Sequence, residues 1–284
     1  MEASERRVAV VGEDDRAATV RDAVRALDFR AVDGVNTDTD ASADTETGPS
    51  GGADTDALAD ADAVVAVGEE AIREVLVGAP TAPVVLVGRR RLALDVESAE
   101  RCLRQLVDGP VTRSDADDDD GLPPDGLRRV THPVLGVDDG SGRGPRAVFD
   151  VALVTDEPAR ISEFSVSLPR GGDESFRADG IVVATPLGSD AYANAAGGAL
   201  VEPGGGLSLV PIAPFSTRTD AWIAADGATL SVERGSEPVA LVVDGAVRGA
   251  VEPHRPVDIE VIDRVEVAIP SLSAPRRARR SETL

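Results

Sequence analysis

The sequence predicts an α/β N-terminal domain followed by a mostly antiparallel β C-terminal domain. Three observations predict it. Short continuous apolar runs, RVAVV at 7–11, AVVAV at 63–67 and VVLV at 84–87, alternate with stretches of helical spacing, as strands of a sheet covered on both faces do. Near residue 147 that alternation stops. From there, apolar or alternating runs follow one another with Gly or Pro between them.

In chain order, RVAVVG at 7–12 is a strand ending in glycine, and Ala18, Val20, Val24 and Leu27 then recur at helical spacing. Residues 33–60 are mostly Asp, Thr, Gly and Ser, with too few apolar groups to offset ordering entropy, and read as an acidic disordered insertion. The pattern resumes with ADAVVAVG, EEAIREVL and APVVLVG, and a helix over ESAERCLRQLVDG closes a first domain at 1–110. Residues 111–146, with SDADDDDG and PPDG, read as an acidic linker. The β-rich domain runs over 147–270, with DAYANAAGGAL its only helix, and 271–284 is a disordered basic tail. The GGDE at 171–174 lies between two β runs and reads as a hairpin turn.

Composition narrows the function classes. The 284 residues carry 51 acidic and 29 basic side chains, a net charge of −22, and every basic residue is Arg. That balance repels nucleic acid and anionic membranes, and it suits a chain adapted to concentrated salt, where self-repulsion is screened. A lone Cys102 leaves no intramolecular disulfide, and His132 and His254 at unrelated spacing give no zinc motif. No signal peptide or membrane span is legible, so a cytoplasmic protein is expected.

The most informative stretch is 179–198, DGIVVATPLGSDAYANAAGG. A strand stops at Pro186 and is followed by small residues, hydroxyls and the chain's single tyrosine, Tyr192. Such a turn lets a ligand approach the main chain, and helix amides beyond it favour an anion. A well-capped helix, with Asp190 on its own first amides, accounts for the same residues equally well.

The stretch resembles the signature of the NAD kinase family: DG, four apolar residues, TPTGSTAY, then SAGG, whose Ser aligns with Ala195 here. EPGGGLSLVPIAPF at 202–215 and VVDGAVRG at 242–249 are similar to later family segments, and AVFDVALV at 147–154 sits where the family carries A-L-N-[DE]-V. The resemblance implies an NAD kinase-like two-domain fold. It implies transfer of a phosphoryl group from ATP or polyphosphate, with Mg²⁺, to the adenosine-ribose 2′-hydroxyl of NAD, and a homodimer or homotetramer. Asp150, Asp179, Thr185, Gly188, Ser189, Asp190, Ala191 and Tyr192 then fall on NAD-binding positions.

The family's GGDG loop is degenerate here. After AVVAV stand Gly68, Glu69 and Glu70, so the phosphate loop is reduced to Gly68 and Glu70, and Glu69 occupies the place of the catalytic Asp. Phe149 stands for the family's Asn, Leu187 for the second Thr of TPTGS and Asp190 for the Thr of STAY. The resemblance therefore implies a slow kinase, a non-catalytic dinucleotide-binding or regulatory relative, or a kinase for another hydroxyl substrate.

Overall fold

The structure, a computed structural model, describes residues 6–27, 29–33, 55–140 except 109–126, 144–156, 161–216, 220–235 and 237–270. The first half comprises β1 (Arg7–Val11), α1 (Asp15–Ala26), β2 (Arg30–Asp33), α2 (Thr55–Ala59), β3 (Ala63–Val67), α3 (Glu69–Gly78), β4 (Val84–Val87) and α4 (Val96–Asp108). The second comprises β5 (Leu127–Asp138), β6 (Arg146–Ala147), β7 (Asp150–Thr155), β8 (Ser162–Ser167), β9 (Asp173–Ala178), β10 (Gly180–Ala184), α5 (Tyr192–Ala195), β11 (Leu207–Ile212), β12 (Trp222–Ala224), β13 (Gly227–Arg234), β14 (Val239–Val243), β15 (Ala246–Val251) and β16 (Val257–Pro270).

The first four strands pair in parallel in the order β2-β1-β3-β4. Their apolar runs are continuous because both faces are covered. Val8, Val10, Val65 and Val85 meet α1 and α4, while Ala9, Val64, Val84 and Leu86 meet Ile72, Val75 and Leu76 of α3. The second half is a sandwich. Leu153, Ile181, Val183, Leu209 and Leu241 of a six-stranded sheet face Leu135, Phe164, Val166, Leu230 and Ile259 of the other layer.

That other layer is continuous with the parallel sheet. β16 carries β5 along one edge, and its remaining contacts are β13 near its start and β4 near its end. The two predicted domains therefore share one ten-stranded sheet among the described residues, a junction invisible to local patterning.

Two sequence expectations need correction. The stretch 111–146 is not all linker: β5 pairs with β16 along its whole length and buries Val134, Leu135 and Val137. Its two arginines, histidine and proline disguise a strand, and Pro133 is accommodated opposite Arg264, beside a register shift between Val261 and Asp263. The insertion read at 33–60 is not featureless at its end, because α2 buries Ala57 and Leu58. Residues 34–54, the acidic run at 114–121 and the tail at 271–284 lie outside the described residues.

The GGDE at 171–174 is a turn, as expected: β8 and β9 pair antiparallel across it, with Gly171 and Gly172 both at positive φ.

Candidate functional site

Strand direction gathers the site. β7 runs antiparallel to both β10 and β14, so the start of β7 and the ends of β10 and β14 lie at one edge of the six-stranded sheet. Asp150, Thr185 and Asp244 meet there. The turns after β3 and β4 lie at the carboxyl ends of the parallel strands, where open α/β sheets place their ligands.

The start of β7 is fixed by buried polar contacts. Asp244 accepts the amides of Val148, Phe149 and Asp150. Thr185 donates its hydroxyl to the Val148 carbonyl at 2.7 Å and accepts the Gly188 amide at 3.2 Å. His132 Nε2 lies 2.9 Å from the same Val148 carbonyl, and burial pulls its pKa from 6.5 to about 4, so the ring is neutral and Nε2 donates. Gly188 is required here, because a Cβ would fall 2.0 Å from the Phe149 carbonyl oxygen. Ser189, also buried, donates to the Pro186 carbonyl and accepts the Val201 amide. Thr185, Gly188 and Ser189 thus build the turn with their own polar atoms and hold its main chain in shape.

Asp150 is left with a buried, ionisable carboxyl at the start of β7. Its pKa is raised from 3.8 to about 6, chiefly by burial and then by Asp244, with Arg90 opposing and Glu69 adding to the rise. Asp244 is likewise raised, by burial against the pull of its three amides. Tyr192 opens α5 and is 40% exposed, and its pKa is raised by burial and then by Asp150 and Asp179. Asp179 stands apart from Asp150: it precedes β10 and lies beside Thr155 at the far end of β7, a strand's length from Asp150 and Thr185.

Asp190 does not cap α5. The residue preceding that helix is Ala191, which makes no side-chain cap, and α5 has only four residues. The Asp190 carboxylate instead crosses to the first half, accepting the Arg91 amide at 2.7 Å and Arg90 Nη1 at 3.3 Å. Arg90 Nη2 also donates to Glu69 at 2.5 Å, and its guanidinium lies 4.5 Å from the centroid of the Phe149 ring. Burial works against the Arg90 charge, but Glu69 and Asp190 more than offset it and its pKa is raised. Arg91 adds contacts to Glu202 and the Val201 carbonyl.

Glu69 and Glu70 sit in the first turn of α3, preceded by Gly68 at φ 91°. No side chain caps this helix, whereas Asp14 caps α1 by accepting the Ala17 amide. The Gly68 amide itself is taken by the Val87 carbonyl. Among the described residues no group of three or more His, Cys, Asp or Glu side chains is placed to hold a metal ion. Sequence reading did not single out Arg90, whose bond to Asp190 spans 100 residues. The available signal was three arginines, 89–91, just past the end of a parallel strand in a chain of net charge −22.

Known proteins share this architecture. Residues 150–270 match the ATP-NAD kinase C-terminal domain. The NAD kinase of Methanospirillum hungatei is 34% identical over 115 residues, 40% of this chain and 43% of that protein. That of Methanoculleus marisnigri is 36% identical over 120 residues, 42% of this chain and 44% of that protein. The sequence match thus spans less than half the length of these relatives. An NAD kinase from Archaeoglobus fulgidus, solved in complex with ATP, superposes with a TM-score of 0.62 at 20% identity, covering 92% of each chain. Yeast NADH kinase complexed with NADH gives 0.66 at 15% identity, covering 94% of this chain and 84% of its own. The match to the ATP-NAD kinase C-terminal domain is thus confined to residues 150–270, less than half of the chain, and the chain as a whole has the fold of the NAD kinases.

Proposed function

We propose that the chain binds NAD in the cleft between its halves and transfers a phosphoryl group from ATP or polyphosphate to the adenosine-ribose 2′-hydroxyl, more slowly than its relatives. The observation that carries this reading is the Arg90 bridge. Its guanidinium bonds both Glu69, at the degenerate loop, and Asp190 of the Thr185–Tyr192 turn, which supports reading the two motif segments together.

In this reading the main chain of that turn, with Asp150 and Tyr192, receives the adenosine half of NAD, while Asp179, at the other end of β10, lies a strand's length from it. Glu69 takes the proton from the 2′-hydroxyl as its oxygen bonds to the γ-phosphorus, and the bond to the leaving nucleotide breaks with its electron pair on the departing oxygen. Mg²⁺, when bound with the donor, would neutralise phosphate charge and take most of its ligands from phosphates and water; the described residues offer it no cluster of carboxylates, and Glu69 is kept for the proton. The longer Glu69 side chain displaces the base by about an ångström from where an Asp would hold it, a misplacement that can cost ~10²-fold. Glu70 adds a negative charge facing the donor. Assembly as a homo-oligomer in a salt-rich cytoplasm belongs to the same proposal.

The test is NADP formation from NAD, ATP and Mg²⁺ in molar KCl. Glu69→Ala should abolish turnover. Glu69→Asp with Glu70→Gly should raise it at least tenfold. Val67 is best left in place, because it is a buried core residue paired with Val87. Wild-type turnover near ~10 s⁻¹, the usual enzyme median, would refute the slow-loop reading.

A further inference from the structure

Three departures from the family signature converge on one side chain. Glu69, Phe149 and Asp190 all touch Arg90. A fourth, Leu187, is buried in the same apolar cluster as Phe149. These three side chains surround one guanidinium.

The partners of Arg90 differ in how firmly they hold it. Asp190 is only 18% exposed and is itself fixed by the Arg91 amide, and the Phe149 ring beneath is buried. Glu69 is 64% exposed and lies at the first turn of α3, free to swing into water. The pair is half-buried, with the Arg90 side chain only 14% exposed, so Arg90 needs an anion at this position, and a phosphate oxygen can take the place of the mobile Glu69 carboxylate. A guanidinium binds phosphate through its planar fork of N–H donors, and the uncapped amides beginning α3 favour an anion at the same place.

We propose that Arg90 is a phosphate-contacting residue: Asp190 and Phe149 hold its guanidinium in the cleft, and Glu69 occupies a position that a polyphosphate chain takes over. Displacement by phosphate frees the Glu69 carboxylate for the sugar hydroxyl. The assignment deepens the phosphoryl-transfer reading above and rests on it.

Calorimetric titration of inorganic tripolyphosphate and, separately, NAD into the full chain in molar KCl tests this. Arg90→Met should weaken tripolyphosphate binding tenfold or more, and Arg90→Lys should fall between it and wild type. Arg89→Met, which removes the same charge from the exposed neighbouring side chain, should change affinity less than twofold. Glu69→Gln should tighten tripolyphosphate binding at least threefold, because it removes the competing carboxylate; a merely structural Arg90–Glu69 bond predicts no gain. If Arg90→Met fails to fold, Arg90→Lys and Glu69→Gln decide the matter. Wild-type binding of NAD with tripolyphosphate affinity unchanged by these substitutions, or no tripolyphosphate binding at all, overturns the Arg90 assignment and leaves the dinucleotide reading standing. Absence of NAD binding overturns the dinucleotide reading, whatever Arg90 does.

Discussion

The carboxylate of Asp244 accepts the backbone amide of Phe149 at 2.8 Å and holds the flanking amides of Val148 and Asp150 at 3.0 and 3.1 Å. A residue nearly a hundred positions later thus closes the start of the strand that carries the candidate site. Asp244 adopts φ 47°, a left-handed conformation that Asp tolerates better than most residues.

Asp244→Ala should therefore be costly. It leaves three part-buried amides without their acceptor, at about 1–3 kcal/mol for each one that water does not rescue. Thermal or denaturant unfolding should show a loss of more than about 3 kcal/mol, with Asp244→Asn intermediate because one acceptor oxygen remains. A loss below about 1 kcal/mol for the alanine variant would mean that the turn is held by other contacts.

Gly188→Ala tests the packing of the turn. Its Cβ would stand 2.0 Å from the Phe149 carbonyl oxygen, a main-chain atom that cannot rotate away. The turn must shift, at a cost of at least 1–3 kcal/mol, the usual range for overpacking. NAD affinity should fall with it. Unchanged stability would show that the turn and β7 move apart freely.

Stability should depend on pH through two groups of opposite sign. Asp150 titrates near 6 rather than 3.8, because of burial and then Asp244, so between these values the folded chain keeps a proton that the unfolded chain has released. Stability falls as pH rises through that window, by on the order of 3 kcal/mol. His132 is depressed from 6.5 to about 4 by burial, so there the unfolded chain holds the extra proton, and stability falls as pH drops from 6.5 towards 4. The two slopes partly cancel in wild type. Asp150→Asn removes the first and should gain stability over wild type as pH rises from 4 to 7. A pH-independent difference between the two proteins would contradict the raised Asp150.

Much of the fold was legible in local pattern. The apolar runs at β1, β3 and β4 are continuous because helices cover both faces, and the β runs after residue 147 emerge as the strands of a sandwich. β5 was hidden because its pairing to β16 is long-range and its arginines tolerate a half-buried strand. In the candidate site, Glu69, Asp190 and Tyr192 were named from motif position, but the bond of Asp190 to Arg90 and Arg91 was not. Nothing in the spacing of an Asp at a helix start distinguishes a cap from an ion pair to an arginine 100 residues earlier. Thr185 and Ser189 were read as ligand-facing hydroxyls, and their hydrogens are spent inside the turn.

Tyr192 is the only tyrosine in the chain, so fluorotyrosine labelling places a single ¹⁹F reporter at the proposed adenosine site. Titrating NAD into the labelled protein in molar KCl should shift that one resonance saturably, and Gly188→Ala should weaken the effect. A resonance unmoved by NAD, NADH or ATP at millimolar concentration, in a protein that remains folded, would contradict a nucleotide site at the Thr185–Tyr192 turn.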